Sequence, residues 1–144
     1  MDDAELRRRI VGTWKLVSVN YEDQTSKERT PVYGAHPKGI QIATAHGRWL
    51  ALMTGEGRNV PKTDAERAQA LTSMIAYTGR YRIDGGKVIT KVEAAWNEGW
   101  VGGEQIRSVR FDGDRLCLES PPMPHPNLRD NIVRVIVEWE RESA

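Results

Sequence analysis

The chain has 144 residues, 28% of them charged, and a formal net charge of +1. That length suits one domain with a real hydrophobic core, expected over residues 1–144. Interspersed charge excludes the clustered basic footprint of a nucleic-acid binder. The single cysteine, Cys117, excludes a disulfide scaffold. No apolar run approaches the roughly 20 residues that span a bilayer, so no membrane partner is expected. The acidic start Met1-Asp2-Asp3-Ala4-Glu5 lacks an apolar signal segment, and a cytoplasmic location is the expectation.

In chain order, Asp2 and Glu5 have capping-box spacing, and Leu6 and Ile10 share one helical face. They predict a short N-terminal helix ending at Gly12. Gly12-Thr13-Trp14 then opens an alternating segment, the glycine letting the chain turn in and the tryptophan plugging a barrel end. Strict alternation over 13–21 puts Trp14, Leu16 and Ser18 on one face and Val17, Val19 and Tyr21 on the other. Residues 22–37 are polar with two prolines and read as a long loop. Segments 39–44 and 48–54 form a hairpin about Ala45-His46-Gly47.

Thr63-Asp64-Ala65-Glu66 is a second capping box. Ala68, Leu71, Met74 and Ile75 follow at helical spacing, predicting one inserted helix that runs to about Tyr77 and caps the barrel's open end. Segments 79–84 and 87–95 pair about Asp84-Gly85-Gly86, and 103–111 and 114–119 about Asp112-Gly113-Asp114. Pro121 to Pro126 is a rigid loop. Residues 131–140 complete about eight hairpin-linked strands, the spacing of an all-β barrel or sandwich.

Several chemical motifs are absent. Gly99 to Gly103 lies between strands, not before a helix, and is no phosphate loop. His36, His46 and His125 sit in separate loops without paired spacing, so no metal is expected. Cys117 has no local base to activate it, and Arg7-Arg8-Arg9 reads as a solvated helix face.

The candidate ligand-binding residues are aromatic and polar. Trp96 and Trp100 share a five-residue connection and either close the barrel or line a ligand mouth. Tyr77 and Tyr81 flank the start of a strand. Gln105 and Arg107 share one face of a strand whose two faces are both mixed, which suits a barrel with a partly polar cavity. Arg134 lies in the most apolar strand, where it either snorkels outward or points inward to a carboxylate such as Glu93 or Glu104.

In this order the segments resemble the bacterial and fungal lipocalin-like domain family of the calycin superfamily. The matching elements are Gly12-Thr13-Trp14-Lys15-Leu16, Pro37-Lys38-Gly39-Ile40, Ile75-Ala76-Tyr77-Thr78-Gly79-Arg80-Tyr81, Val92-Glu93-Ala94 and Gly99-Trp100-Val101-Gly102 with Gln105 and Arg107. Asp112-Gly113-Asp114-Arg115-Leu116 and Glu138-Trp139-Glu140-Arg141 complete the set. The resemblance implies an eight-stranded antiparallel barrel with a helix inserted between strands 3 and 4, and Arg141 stacked on Trp14. It implies a cavity more than a reaction.

Three functional readings follow. The first is a binder of a small, largely hydrophobic molecule, with Trp14, Tyr77, Tyr81, Trp96 and Trp100 as walls and Glu93, Gln105, Arg107 and Arg134 as polar candidates. The second is an enzyme needing no cofactor, an isomerase, cyclase or hydratase of a terpenoid- or polyketide-like substrate. Glu93, Glu104 or Tyr81 would be its acid or base. The third is a structural or homo-oligomeric domain without a ligand.

Overall fold

The alternating segments become one antiparallel sheet that closes on itself. A computed structural model describes residues 1–142. Helix α1 (Asp3–Ile10) leads into β1 (Gly12–Asp23), the two-residue β2 (Arg29–Thr30), β3 (Lys38–Ala43) and β4 (Arg48–Thr54). Helix α2 (Asp64–Thr72) precedes β5 (Met74–Asp84), β6 (Lys87–Ala95), β7 (Glu104–Asp112), β8 (Arg115–Glu119), β9 (Met123–His125) and β10 (Asn131–Arg141). The sheet order is β2-β1-β3-β4-β5-β6-β7-β8-β10-β9, and β1 also pairs with β10. That pairing closes the eight long strands into a barrel and removes its open edges. The short β2 and β9 attach to β1 and β10 at one rim.

Two β-bulges decide which side chains enter the barrel. Against β10, the register of β1 skips between Leu16 and Ser18. The extra residue, Val17, shifts the phase of the pleat. Trp14, Leu16, Val19 and Tyr21 are therefore all buried, which corrects the strict alternation expected over this strand. The second bulge lies where Thr78 pairs with Ala94 but Gly79 pairs with Val92, leaving Glu93 as the extra residue of β6. A Cβ on Gly79 would collide with the Lys91 carbonyl oxygen, so glycine is what permits the close approach there.

The inserted helix is shorter than expected. Its capping box forms as predicted between Thr63 and Glu66. From Met74 onward, however, the chain is strand, pairing with β4 from Thr54. The reason is a longer competing period, since Ile75, Tyr77, Gly79, Tyr81 and Ile83 alternate inward through β5. No residue of α2 is buried, and Leu71 is 46% exposed. The helix therefore does not insert into the barrel, and rests against Pro126–Leu128 and β5. The expected 22–37 loop is also more structured, because Tyr33 is buried in the core.

One end is sealed by α1. Leu6 and Ile10 are buried beneath it, and the Trp14 indole N–H donates to the Ile10 carbonyl at 2.9 Å. The Arg141 guanidinium stacks 4.2 Å from the Trp14 ring centroid and donates to the Arg9 and Val11 carbonyls. Arg9 lies 4.0 Å over Phe111. Asp3 accepts from the backbone N–H groups of Gly85 and Gly86, which holds its carboxyl below the usual carboxylate range.

Candidate functional site

The opposite end is lined by aromatic rings with polar handles. Trp96 and Trp100 meet edge-on at 4.7 Å, and Tyr77 meets Trp100 at 5.3 Å. His125 lies 4.9 Å from Tyr21 and 5.8 Å from Trp100, centroid to centroid. Edge-to-face contacts of this kind stabilise beyond the area they bury.

Hydrogen bonds tie the same residues together. The Asn127 backbone N–H donates to His125 Nδ1 at 3.2 Å, so that nitrogen keeps its lone pair. The proton of the neutral imidazole then sits on Nε2, which donates to Tyr21 Oη at 3.4 Å. Tyr21 and Tyr33 share a hydroxyl–hydroxyl bond of 3.1 Å. The Asn127 amide donates to Tyr33 Oη and the Met74 carbonyl, and accepts from the Trp96 indole. Burial, reinforced by Arg107, pushes the His125 pKa down to about 4. Burial and the neighbouring Tyr33 push the Tyr21 phenol up. At neutral pH both groups are uncharged.

Arg107 is the exception in this interior. It projects inward from β7 and is 5% exposed, yet no carboxylate lies within ion-pair distance among the described residues. Its guanidinium donates only to neutral acceptors, the Ile106 carbonyl at 2.8 Å and Gln105 Oε1 at 3.0 Å. Burial pushes its pKa down, but a guanidinium remains cationic in proteins. It lines a central cavity of about 20 Å³ with Gln41, Met53, Tyr77, Leu118 and Trp139. Gln105, its partner, also lines an outer groove of about 560 Å³ between the Trp96–Trp100 connection and the β9 turn. Gln105, which lines the groove, thus contacts Arg107, which lines the cavity.

The expected site residues divide into three groups. Tyr77, Trp100, Gln105 and Arg107 are buried together toward this end, and Trp96 packs against Trp100 at the rim. Tyr81 points inward but toward the α1 end, where its hydroxyl donates to the Thr44 carbonyl and its ring meets Trp49. Neither Glu93 nor Arg134 enters the interior, which corrects the expectation for Glu93 and takes the outward of the two readings for Arg134. Glu93 is the exposed bulge residue and pairs with Arg48 on the outer face. Arg134 follows the outer face of β10, 4.0 Å from Glu119, while its neighbours Val133 and Val135 point in. Glu104, the other expected acid, is also outside, bonded to Arg82.

Sequence reasoning missed Tyr21, Tyr33, His125, Asn127 and Gln41. Only Tyr21 left a legible signal, being an aromatic at the end of an apolar strand. Gln41 is hidden by Ile40 and Ile42, which look like the core face of β3 but are the outer one.

Among the described residues, no group of three or more His, Cys, Asp or Glu is placed to hold a metal ion, and no helix is long and apolar enough to cross a membrane.

Solved structures with similar architecture include a lipocalin-like protein from Bacteroides uniformis, 11% identical over 93% of this chain and 99% of that one, with a TM-score of 0.49. An uncharacterized protein from Bacteroides eggerthii is 13% identical over 92% of this chain and 99% of that one, with a TM-score of 0.45. The REP1-NXSQ fatty acid transporter is 14% identical over 98% of each chain, with a TM-score of 0.42. No curated protein matches the chain. The sequence itself matches the lipocalin-like domain over residues 11–142, the full span of the barrel, and the chain belongs to that family.

Proposed function

We propose that the barrel interior binds a small, largely apolar molecule bearing an acidic group, which Arg107 holds. The carrying observation is the buried guanidinium without a carboxylate partner. An uncompensated buried charge costs several kcal/mol by a rough count, so a protein retains one where a ligand supplies the opposite charge. Carboxylates match the planar donor fork of arginine, and Gln105 holds that fork in place. Tyr77, Trp96 and Trp100 supply the apolar wall around it, the composition typical of small-molecule sites.

A cavity of about 20 Å³ has the room of about one water molecule, so seating even the acidic head displaces its lining. The tail needs side chains to move, and the groove beyond Gln105 marks the direction. Met53 and Ile75 line the cavity, and a methionine repacks at low cost. Native mass spectrometry of the protein purified from its own host tests the reading. The expected result is a retained acid that Arg107→Met fails to retain. Equal retention by the variant contradicts it.

A further inference from the structure

The central cavity holds a second anomaly, at Gln41. Its side chain is fully buried, yet neither Oε1 nor Nε2 has a hydrogen-bond partner among the described residues. A buried amide left unpaired is strongly unfavourable, and such groups in folded proteins call for an explanation. β3 places Gln41 between Trp14 of β1, whose indole N–H is given to Ile10, and Ala51 of β4, which has only a methyl group. The Trp139 indole N–H in the same cavity is also unpartnered.

We propose that Gln41 is a specificity-determining contact, and that the molecule bound is an acid carrying a hydrogen-bond donor beside its carboxylate, as in a 2-hydroxy acid. This rests on Arg107 holding the acidic group. Arg107, Gln41 Nε2 and Trp139 Nε1 are all donors, on three residues that line one cavity, and a carboxylate offers only acceptors. Gln41 Oε1 is an acceptor and finds nothing in a carboxylate. It needs an O–H or N–H from the ligand. Because Gln41 and Arg107 line the same small cavity, which must widen to take the ligand, that donor must lie on the carbon next to the carboxylate or close to it. A plain acid leaves Oε1 unpaired. Sites built to hydrogen-bond a ligand hydroxyl discriminate strongly against analogues that lack it.

The test titrates octanoate and 2-hydroxyoctanoate into the wild type, Gln41→Leu and Gln41→Glu, read by tryptophan fluorescence. The wild type is expected to bind the hydroxy acid at least tenfold more tightly than the plain acid. In Gln41→Leu that ratio should fall below about twofold. Gln41→Glu should abolish binding of both acids, because its carboxylate would occupy Arg107 internally. Its folding is checked by circular dichroism, and it serves should the leucine variant not fold.

Equal wild-type affinities for the two acids overturn the inference and leave the reading at Arg107 intact. That is also the result if the cavity holds only a water molecule. Unaltered binding of the acids by Gln41→Glu overturns the inference as well. Binding of neither acid by the wild type sinks the reading at Arg107 and this inference with it, whereas the equal-affinity result sinks this inference alone.

Discussion

The two ends of the barrel are both rich in aromatic residues, yet they are built on different principles. At the α1 end, three buried or stacked side chains donate to backbone carbonyls. Trp14 donates to Ile10, Tyr81 to Thr44, and Arg141 to Arg9 and Val11. Backbone acceptors are fixed by the sheet and helix, so this end is a rigid seal. At the other end, side chains also meet one another, through Tyr21, Tyr33, His125, Asn127, Gln105 and Arg107, while Asn127 and Arg107 each keep one backbone carbonyl. Side-chain networks can exchange partners without breaking a strand ladder. The comparison separates scaffold from site.

The largest expected effect is on the seal. Trp14→Ala removes a fully buried indole and the surface on which Arg141 stacks, and should cost about 3–5 kcal/mol in urea unfolding. A loss below about 1 kcal/mol would mean that α1 does not close the barrel as described.

The aromatic rim should answer to pH instead. His125 is neutral in the folded protein with a pKa of about 4, against about 6.5 when unfolded. The unfolded chain therefore takes up the proton first as pH falls. The contribution is fully present above about pH 6.5, declines down to about pH 4, and amounts to about 3 kcal/mol. Protonation would also turn Nδ1 from the acceptor of the Asn127 N–H into a competing donor. His125→Gln should flatten stability between pH 6.5 and 4, and unchanged pH dependence would remove His125 from the account.

Arg107→Met should move stability the other way. Replacing a buried unpaired cation with an apolar side chain is expected to stabilise the ligand-free protein by about 2 kcal/mol, seen as a higher Tm. Destabilisation of that size would show that Arg107 is a structural group. The smallest effect belongs to α2. Thr63→Ala breaks a complete capping box, normally worth about 1 kcal/mol. Because no residue of α2 is buried, the change should appear as faster amide exchange over 64–72 with little shift in global unfolding.

The seal was far more legible in the sequence than the site. Gly12-Thr13-Trp14 and the Asp-Gly turns depend on contacts close in the chain or on local backbone preference, and the structure contains them. The interior of β1 depends on a bulge against β10, more than a hundred residues away, which no local period reveals. Gln41 sits between two isoleucines, so its burial is set by the curvature of the whole barrel. His125 lies in a proline-rich stretch that reads as loop, and only its docking against Tyr21 and Trp100 makes it an interior residue. The burial of Gln105 and Arg107 is legible because two polar residues share one face of a strand, and that of Trp100 because two tryptophans crowd a short connection. The side that Glu93 and Arg134 occupy is not legible, because charge on an apolar strand looks the same whichever face it occupies.

The central claim is that the uncompensated charge of Arg107 is a ligand anchor. Isothermal titration of octanoate into the wild type and Arg107→Met at neutral pH tests it most directly. The account predicts single-site binding to the wild type, weakened at least tenfold in a variant that remains folded and gains stability. Equal affinity in the two proteins, or no binding to the wild type, would contradict it.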